Sequence, residues 1–242
     1  VVAVLLVIVI TLPASLLRRF LPPQLQAEQL SGSLWHGSAG KVLLNSRDVG
    51  GIEWHVHPWP LAMLTLSADV LWVKIGLVAQ GRIEVDRHGA TVHDVVGGGP
   101  IEDLGDLGIA TTWRGTTQFK LSVLKVGVDG ALEAAVGELR VADLVSPQIA
   151  DGGNLGGYKL SLAEDAISPD AQLSAELTDT GGPLEVVATI HYSLRTHTGL
   201  LSGTLEERPE ASAALRSQLQ NITQMHAPDR DGRIPVDLEF TL

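Results

Sequence analysis

A chain of 242 residues can bury one sizeable core, and 45% apolar with 19% charged residues sets it apart from disordered sequences. The formal net charge is −11, and its 17 Lys and Arg are scattered, with Arg18-Arg19 the densest pair. That excludes nucleic-acid binding, which needs cations clustered against phosphate. The absence of cysteine excludes disulfides, thiolate metal sites and cysteine nucleophiles.

The chain opens on Val1 to Leu17 (VVAVLLVIVITLPASLL), uncharged and almost wholly apolar until Arg18-Arg19. At 1.5 Å per residue this run spans about 25 Å of a hydrocarbon core roughly 30 Å thick. A membrane anchor over residues 1–20 is expected, ahead of a cleaved signal or a buried helix. No small-x-small cleavage site follows the run, which speaks against the signal. The Arg pair alone does not fix the orientation, because the flank before the run is not in view. Leu21-Pro22-Pro23 ends any helix and starts a linker over 21–27.

From residue 28 to 242 the dominant period is two. Ile52, Trp54 and Val56 alternate with Glu53, His55 and His57, and Leu64, Leu66, Ala68, Val70 and Trp72 with Thr65, Ser67 and Asp69. The same stripe recurs in Phe119-Leu121-Val123, in Leu173-Ala175-Leu177 and in Val186-Ala188-Ile190-Tyr192. It closes the chain in Ile234-Val236-Leu238-Phe240-Leu242. Each predicts a strand with one buried and one wet face. Gly89, Gly97-Gly98-Gly99-Pro100, Gly127, Gly130, Gly156-Gly157 and Gly181-Gly182-Pro183 are expected turns, and turns this short demand antiparallel pairing. One segment changes period: Pro209-Glu210 opens a helix-spaced stripe of Ala211, Ala214, Leu215, Leu219, Ile222 and Met225. With Arg216 its sole cation, that helix is expected to pack on the sheet. The fold class is therefore mainly β. The expected architecture is a large curved antiparallel sheet, or two packed sheets, with one C-terminal amphipathic helix after a transmembrane helix. Residues 146–157 are the most linker-like stretch, but the strand pattern resumes beyond them, so 28–242 is one domain.

No constellation carries chemistry. His55-x-His57 shares a strand face and could hold zinc, yet offers no third ligand nearby and reads as a solvent-facing pair. Asp229-x-Asp231-Gly232 lacks the distal ligands of a calcium loop. Asn221-Ile222-Thr223 matches a glycosylation sequon inside the expected helix. Gly32-Ser33-Leu34 and Gly37-Ser38-Ala39-Gly40 do not form a nucleophile elbow. Catalytic, metal and cofactor sites are expected to be absent.

The segment Leu30-Ser31-Gly32-Ser33-Leu34-Trp35-His36-Gly37-Ser38-Ala39 resembles the opening of the type II secretion system protein N family. The likeness continues through Ile52-Glu53-Trp54-His55-Val56-His57-Pro58, the Leu61–Leu66 stretch and the final helix, Asp231-Gly232-Arg233 and strand. It implies a non-catalytic accessory of the Gram-negative inner membrane. Such a protein has a single pass and a periplasmic β-rich domain, and its partners are the secretin and inner-membrane platform components. On that topology Arg18-Arg19 becomes periplasmic. Trp35, Trp54, Trp59 and Trp72 crowd within forty residues, as an aromatic core or, for one or two of them, as partner anchors. The candidate partner-binding residues are Trp35, Trp54, Trp59, Leu34 and Leu238. The last-named pair lie on the expected edge strands, Gln29 to His36 and Arg233 to Leu242, where a partner strand could add. The alternative is a tethered lipid or hydrophobic-ligand binder, and the discriminator is whether helix and facing strands cover the apolar stripes.

Overall fold

The computed structural model describes residues 12–19, 21, 23–107, 112–147, 149, 153–168, 171–223 and 233–241. Thirteen strands follow one another as a meander. They are β1 (Leu25–Gly32), β2 (His36–Leu44), β3 (Arg47–His57), β4 (Leu66–Lys74), β5 (Leu77–Asp86), β6 (Gly89–Pro100) and β7 (Arg114–Gly127). After them come β8 (Leu132–Val145), β9 (Asn154–Leu162), β10 (Gln172–Gly181), β11 (Leu184–Ser193), β12 (Thr198–Glu207) and β13 (Ile234–Thr241). All lie in a single sheet in sequence order, and β1 and β13 are its two margins. Every neighbouring pair is antiparallel, as the short connections require.

Two expectations about architecture need correction. The sheet is one open, uncurled layer, neither curved nor split in two. The connections explain why there is no second layer: each strand pairs with its predecessor, and no crossover carries one half of the chain over the other. The glycines of 97–99 do not turn the chain; they lie inside β6. A Cβ on Gly97 would sit 2.4 Å from the Phe119 ring and 2.6 Å from the Val78 carbonyl, so glycine makes room for an aromatic side chain lying across the strand. Gly156-Gly157 likewise fall within β9.

Strand register turns the alternating pattern into two faces. Cross-strand partners run from Leu30 through Ala39, Ile52, Trp72, Ala79 and Gly97. They continue through Phe119, Leu139, Leu160, Leu177, Ala188 and Gly203 to Val236. One apolar residue or glycine per strand thus crosses the whole sheet, a band of about 57 Å at the usual inter-strand spacing. The other face is polar.

The apolar face is covered in parts. Helix α1 (Ala213–Thr223) lies over β9–β12 and sets Leu215, Leu219 and Ala211 against Leu155 and Leu184 in one buried cluster with Ile149. The helix begins later than its apolar stripe suggested, because Ser212 caps it: its Oγ accepts the Leu215 N–H at 3.2 Å. A 3-10 segment, Ile101–Leu107, packs on β7, β3 and β6, and Leu77 is almost fully buried near it. Across the middle strands the row from Ile52 to Leu160 stays half-buried.

Residues 1–11, the heart of the expected anchor, and 224–232, which hold Asp229-x-Asp231-Gly232 and the expected helix end at Met225, lie outside the described residues. Ala14–Arg19 forms a 3-10 segment. No helix among the described residues is long and apolar enough to cross a membrane.

Candidate functional site

The two sheet margins are finished differently. The stretch 29–36, expected as one edge strand, straddles a hairpin instead. Gly32 takes φ +82°, the Ser33 N–H donates to the His36 carbonyl at 2.7 Å, and the chain reverses over Ser33–Trp35. Leu34 and Trp35 are therefore turn residues, and Leu34 is no edge-strand position. The outer side of β1 is engaged by the chain's own start. Pro13 bridges Ser33, the Leu34 N–H donates to the Leu12 carbonyl at 2.8 Å, and Arg18 Nε donates to the Ala27 carbonyl at 3.3 Å. At the other margin β13 pairs only with β12 among the described residues. Leu238 stands there 53% exposed between the exposed Asp237 and Glu239.

The clustered tryptophans separate. Trp54 and Trp72 are half-buried, with indole N–H groups donating to the Leu34 carbonyl at 3.0 Å and the Val49 carbonyl at 2.5 Å. These bonds satisfy the one polar atom of each ring, as packed indoles require. Trp59 does the opposite: at 86% exposed it projects from a 3-10 turn, Trp59–Met63, at the β3–β4 connection.

Sequence reasoning did not foresee the ionisable ladder on the polar face of β2–β6. His36, His55, Asp69, Arg82 and His93 are successive cross-strand partners, a ladder of ionisable side chains over five strands. The His36 and His55 rings meet edge to face with centroids 3.7 Å apart, and His57 Nε2 lies 2.8 Å from Asp69 Oδ2. Arg82 Nε donates to Asp69 Oδ1 at 2.8 Å. That hydrogen bond, with His57 adding to it, holds the Asp69 carboxyl below the usual carboxylate range. The ladder could not be read from spacing, since His36 and Asp69 reach His55 only through register. An open depression of about 660 Å³ lies along it, with Glu53 and Asp94 on its walls. No group among the described residues is arranged to hold a metal ion. Among the described residues a serine–histidine side-chain contact, Ser174–His191 at 3.0 Å, is exposed on the sheet surface.

A second polar network lies at the roofed end. Arg208 Nη1 is 2.8 Å from Asp179 Oδ2, whose side chain is only 10% exposed, and Asp179 Oδ1 accepts the Val186 N–H at 3.1 Å. Burial raises the Asp179 pKa, but the Val186 amide and the Arg208 guanidinium outweigh it, and the carboxyl ends below its ordinary range. Nearby Tyr158, its hydroxyl donating to the Leu155 carbonyl at 2.9 Å, is pushed up to about 12 by burial. Asp179 precedes Gly181-Gly182-Pro183 as an acidic residue precedes a turn it caps, the one sequence cue to this network. These groups tie the β10–β11 hairpin to the lead-in of α1; they do not face a substrate cleft.

Among the described residues these surfaces present a large sheet with one guarded and one open margin. Residues 23–237 match the family described as Type II secretion system (T2SS), protein N. The chain belongs to that family. No curated protein and no solved structure matches it. As a protein N family member it is an accessory component of a type II secretion system, a machine of the cell envelope, and it associates with other components of that system. The match covers the Leu30–Ala39 and Ile52–Pro58 segments on which the resemblance was drawn.

Proposed function

We propose that this chain is a non-catalytic scaffold of the type II secretion system. Its apolar start anchors it in the inner membrane, and its periplasmic sheet bridges to secretin and platform partners. The observation that carries the reading is the difference between the margins. β1 is engaged by Leu12, Pro13 and Arg18, whereas β13 leaves a row of backbone donors and acceptors without a neighbouring strand among the described residues. An open edge of this kind pairs with an extended segment, backbone hydrogen bonds supplying affinity and alternate side chains supplying selectivity. Acidic Asp237 and Glu239 at the edge disfavour a second β13 and favour a partner strand with cations on the matching face.

Leu238→Lys places a charge on the apolar side of β13 without touching the buried cluster. Secretion and in-cell cross-linking to the secretin and platform should fall while the thermal midpoint stays near that of the parent. If both persist in the folded variant, β13 is not the docking edge.

A second reading is favoured by one observation: the cluster under α1 is built from the β8–β12 side of the sheet, and the apolar row is only half-buried from Ile52 to Leu139. A hydrophobic ligand such as an acyl chain suits that band. Native mass spectrometry of chain purified from envelopes tests it: an adduct of lipid mass that Trp72→Glu removes supports this reading, and bare protein refutes it.

A further inference from the structure

We propose that the turn Trp59–Leu64 is a bilayer-contact site, dipping into the membrane interface beside the point where the N-terminal apolar run joins the sheet. The inference rests on the reading of that run as a membrane anchor, and the experiment below separates the two.

The sequence of the turn is unusual for a water-facing connection. From Pro58 to Leu66 it reads PWPLAMLTL, with no charge and one hydroxyl. Trp59, Met63 and Leu64 are 86, 84 and 83% exposed. Single exposed apolar side chains are ordinary on protein surfaces, but three within six residues on one projection mark an interaction site.

Its backbone suits an apolar medium. Pro58 and Pro60 carry no N–H. The Leu61 N–H donates to the Pro58 carbonyl at 3.3 Å, that of Leu64 to Leu61 at 3.0 Å and that of Thr65 to Pro60 at 3.1 Å. Leu64 is held in the left-handed region, φ 60° and ψ 30°, so the turn is a fixed shape that closes on itself. Those three amides stay paired when the side chains of the turn leave water. Tryptophan belongs at this level, its ring apolar and its N–H wet.

Position selects the membrane as the occupant. Residues 1–11, VVAVLLVIVIT, are uncharged and continue into Leu12, whose carbonyl accepts the Leu34 N–H. The next residue in the hairpin, Trp35, accepts the Val56 N–H at 2.7 Å, and Trp59 follows three residues later. The apolar run and the apolar turn therefore meet the sheet at the same end, about three inter-strand spacings or 14 Å apart. The opposite end differs: Ile75 is 92% exposed there on a two-residue turn beside Lys74, with Val73 and Val78 less than half exposed. With no Lys or Arg on the turn and a net charge of −11, the contact is hydrophobic and does not need anionic lipid.

Because the chain has no cysteine, Met63→Cys and Ile75→Cys each create one labelling position. Full-length chains carrying an environment-sensitive fluorophore at either site are reconstituted into phosphatidylcholine vesicles, with and without nitroxide-bearing lipid. The probe at 63 should shift to the blue and lose most of its emission to a shallow nitroxide, while the probe at 75 stays water-like and unquenched. A water-like probe at 63 overturns the proposal, as does equal quenching at both sites or a blue shift that nitroxide lipid leaves untouched. Carbonate extraction of the same vesicles reads the anchor separately. A chain that stays in the pellet with a wet probe at 63 keeps the anchor and loses the turn. A chain that washes off, having shown quenching at 63 beforehand, loses the anchor and keeps the turn.

Discussion

Two ion pairs of equal length sit at opposite ends of this sheet. Asp179–Arg208 and Asp69–Arg82 both close at 2.8 Å, but the Asp179 side chain is 10% exposed under the lead-in to α1, and that of Asp69 is 47% exposed on the open face. Distance is the same and shelter is not, so solvent screens one pair and spares the other. The contrast extends to the strands around them. β9–β12 hold the cluster roofed by α1, where the loss of one side chain opens a cavity. β2–β6 carry their titratable ladder in water and present their contacts to whatever docks. The first region supplies stability, and the second is free to be functional surface.

The largest expected effect falls under the roof. Leu215 is 4% exposed in the α1 cluster, so Leu215→Ala should cost about 2–5 kcal/mol in chemical denaturation. Amide exchange should rise first in β9–β12 while β3–β5 keep their protection. Uniform loss of protection across all thirteen strands would mean that the two regions are one cooperative unit, and the comparison would break.

A smaller effect is expected at the sheltered pair. Asp179→Asn should lower stability by about 1–3 kcal/mol near neutral pH, since it weakens charge-assisted bonds to Arg208 and the Val186 amide. The sign with pH follows from the lowered pKa. A carboxyl held below its ordinary value stabilises the fold above the unfolded pKa, roughly 4, and loses that contribution as pH falls through the folded value. The gap in thermal midpoint between parent and variant should therefore be full at pH 7 and close below pH about 4. A gap that is constant with pH would mean Asp179 acts through shape and not charge.

The smallest belongs to the exposed pair. Asp69→Asn should change stability by less than about 1 kcal/mol, and by less still in high salt. A larger loss would show that the ladder from His36 to His93 acts as a coupled network, and a double-variant cycle with Arg82→Gln would measure that coupling.

Much of the fold was legible in the chain. A period of two fixes a strand whatever its neighbours do, because successive side chains must point to opposite faces; hence Ile52-Trp54-Val56 and Ile234-Val236-Leu238 fell where expected. The helix was visible in the spacing of Ala214, Leu215 and Leu219. Glycine was less readable. Gly32 turns the chain and Gly97 lies beneath the Phe119 ring, and nothing local distinguishes a residue that bends from one that makes room. That ambiguity misplaced the first edge, so Leu34 was expected on a strand and stands in a turn.

By itself, then, the sequence determined the strand pattern, the polar and apolar faces, the lack of any thiol chemistry and the family. Only the tertiary structure decided which residues meet across strands, because register joins positions tens of residues apart that no local pattern links. It set His36 against His55, gathered one apolar residue or glycine from each strand into a continuous band and guarded β1 with the chain's own start. It also separated Trp59 from Trp54 and Trp72: four tryptophans alike in sequence became two packed on the sheet through their indole N–H bonds, one in a hairpin turn and one in water. Burial depends on what lies above a side chain, and that is fixed by packing.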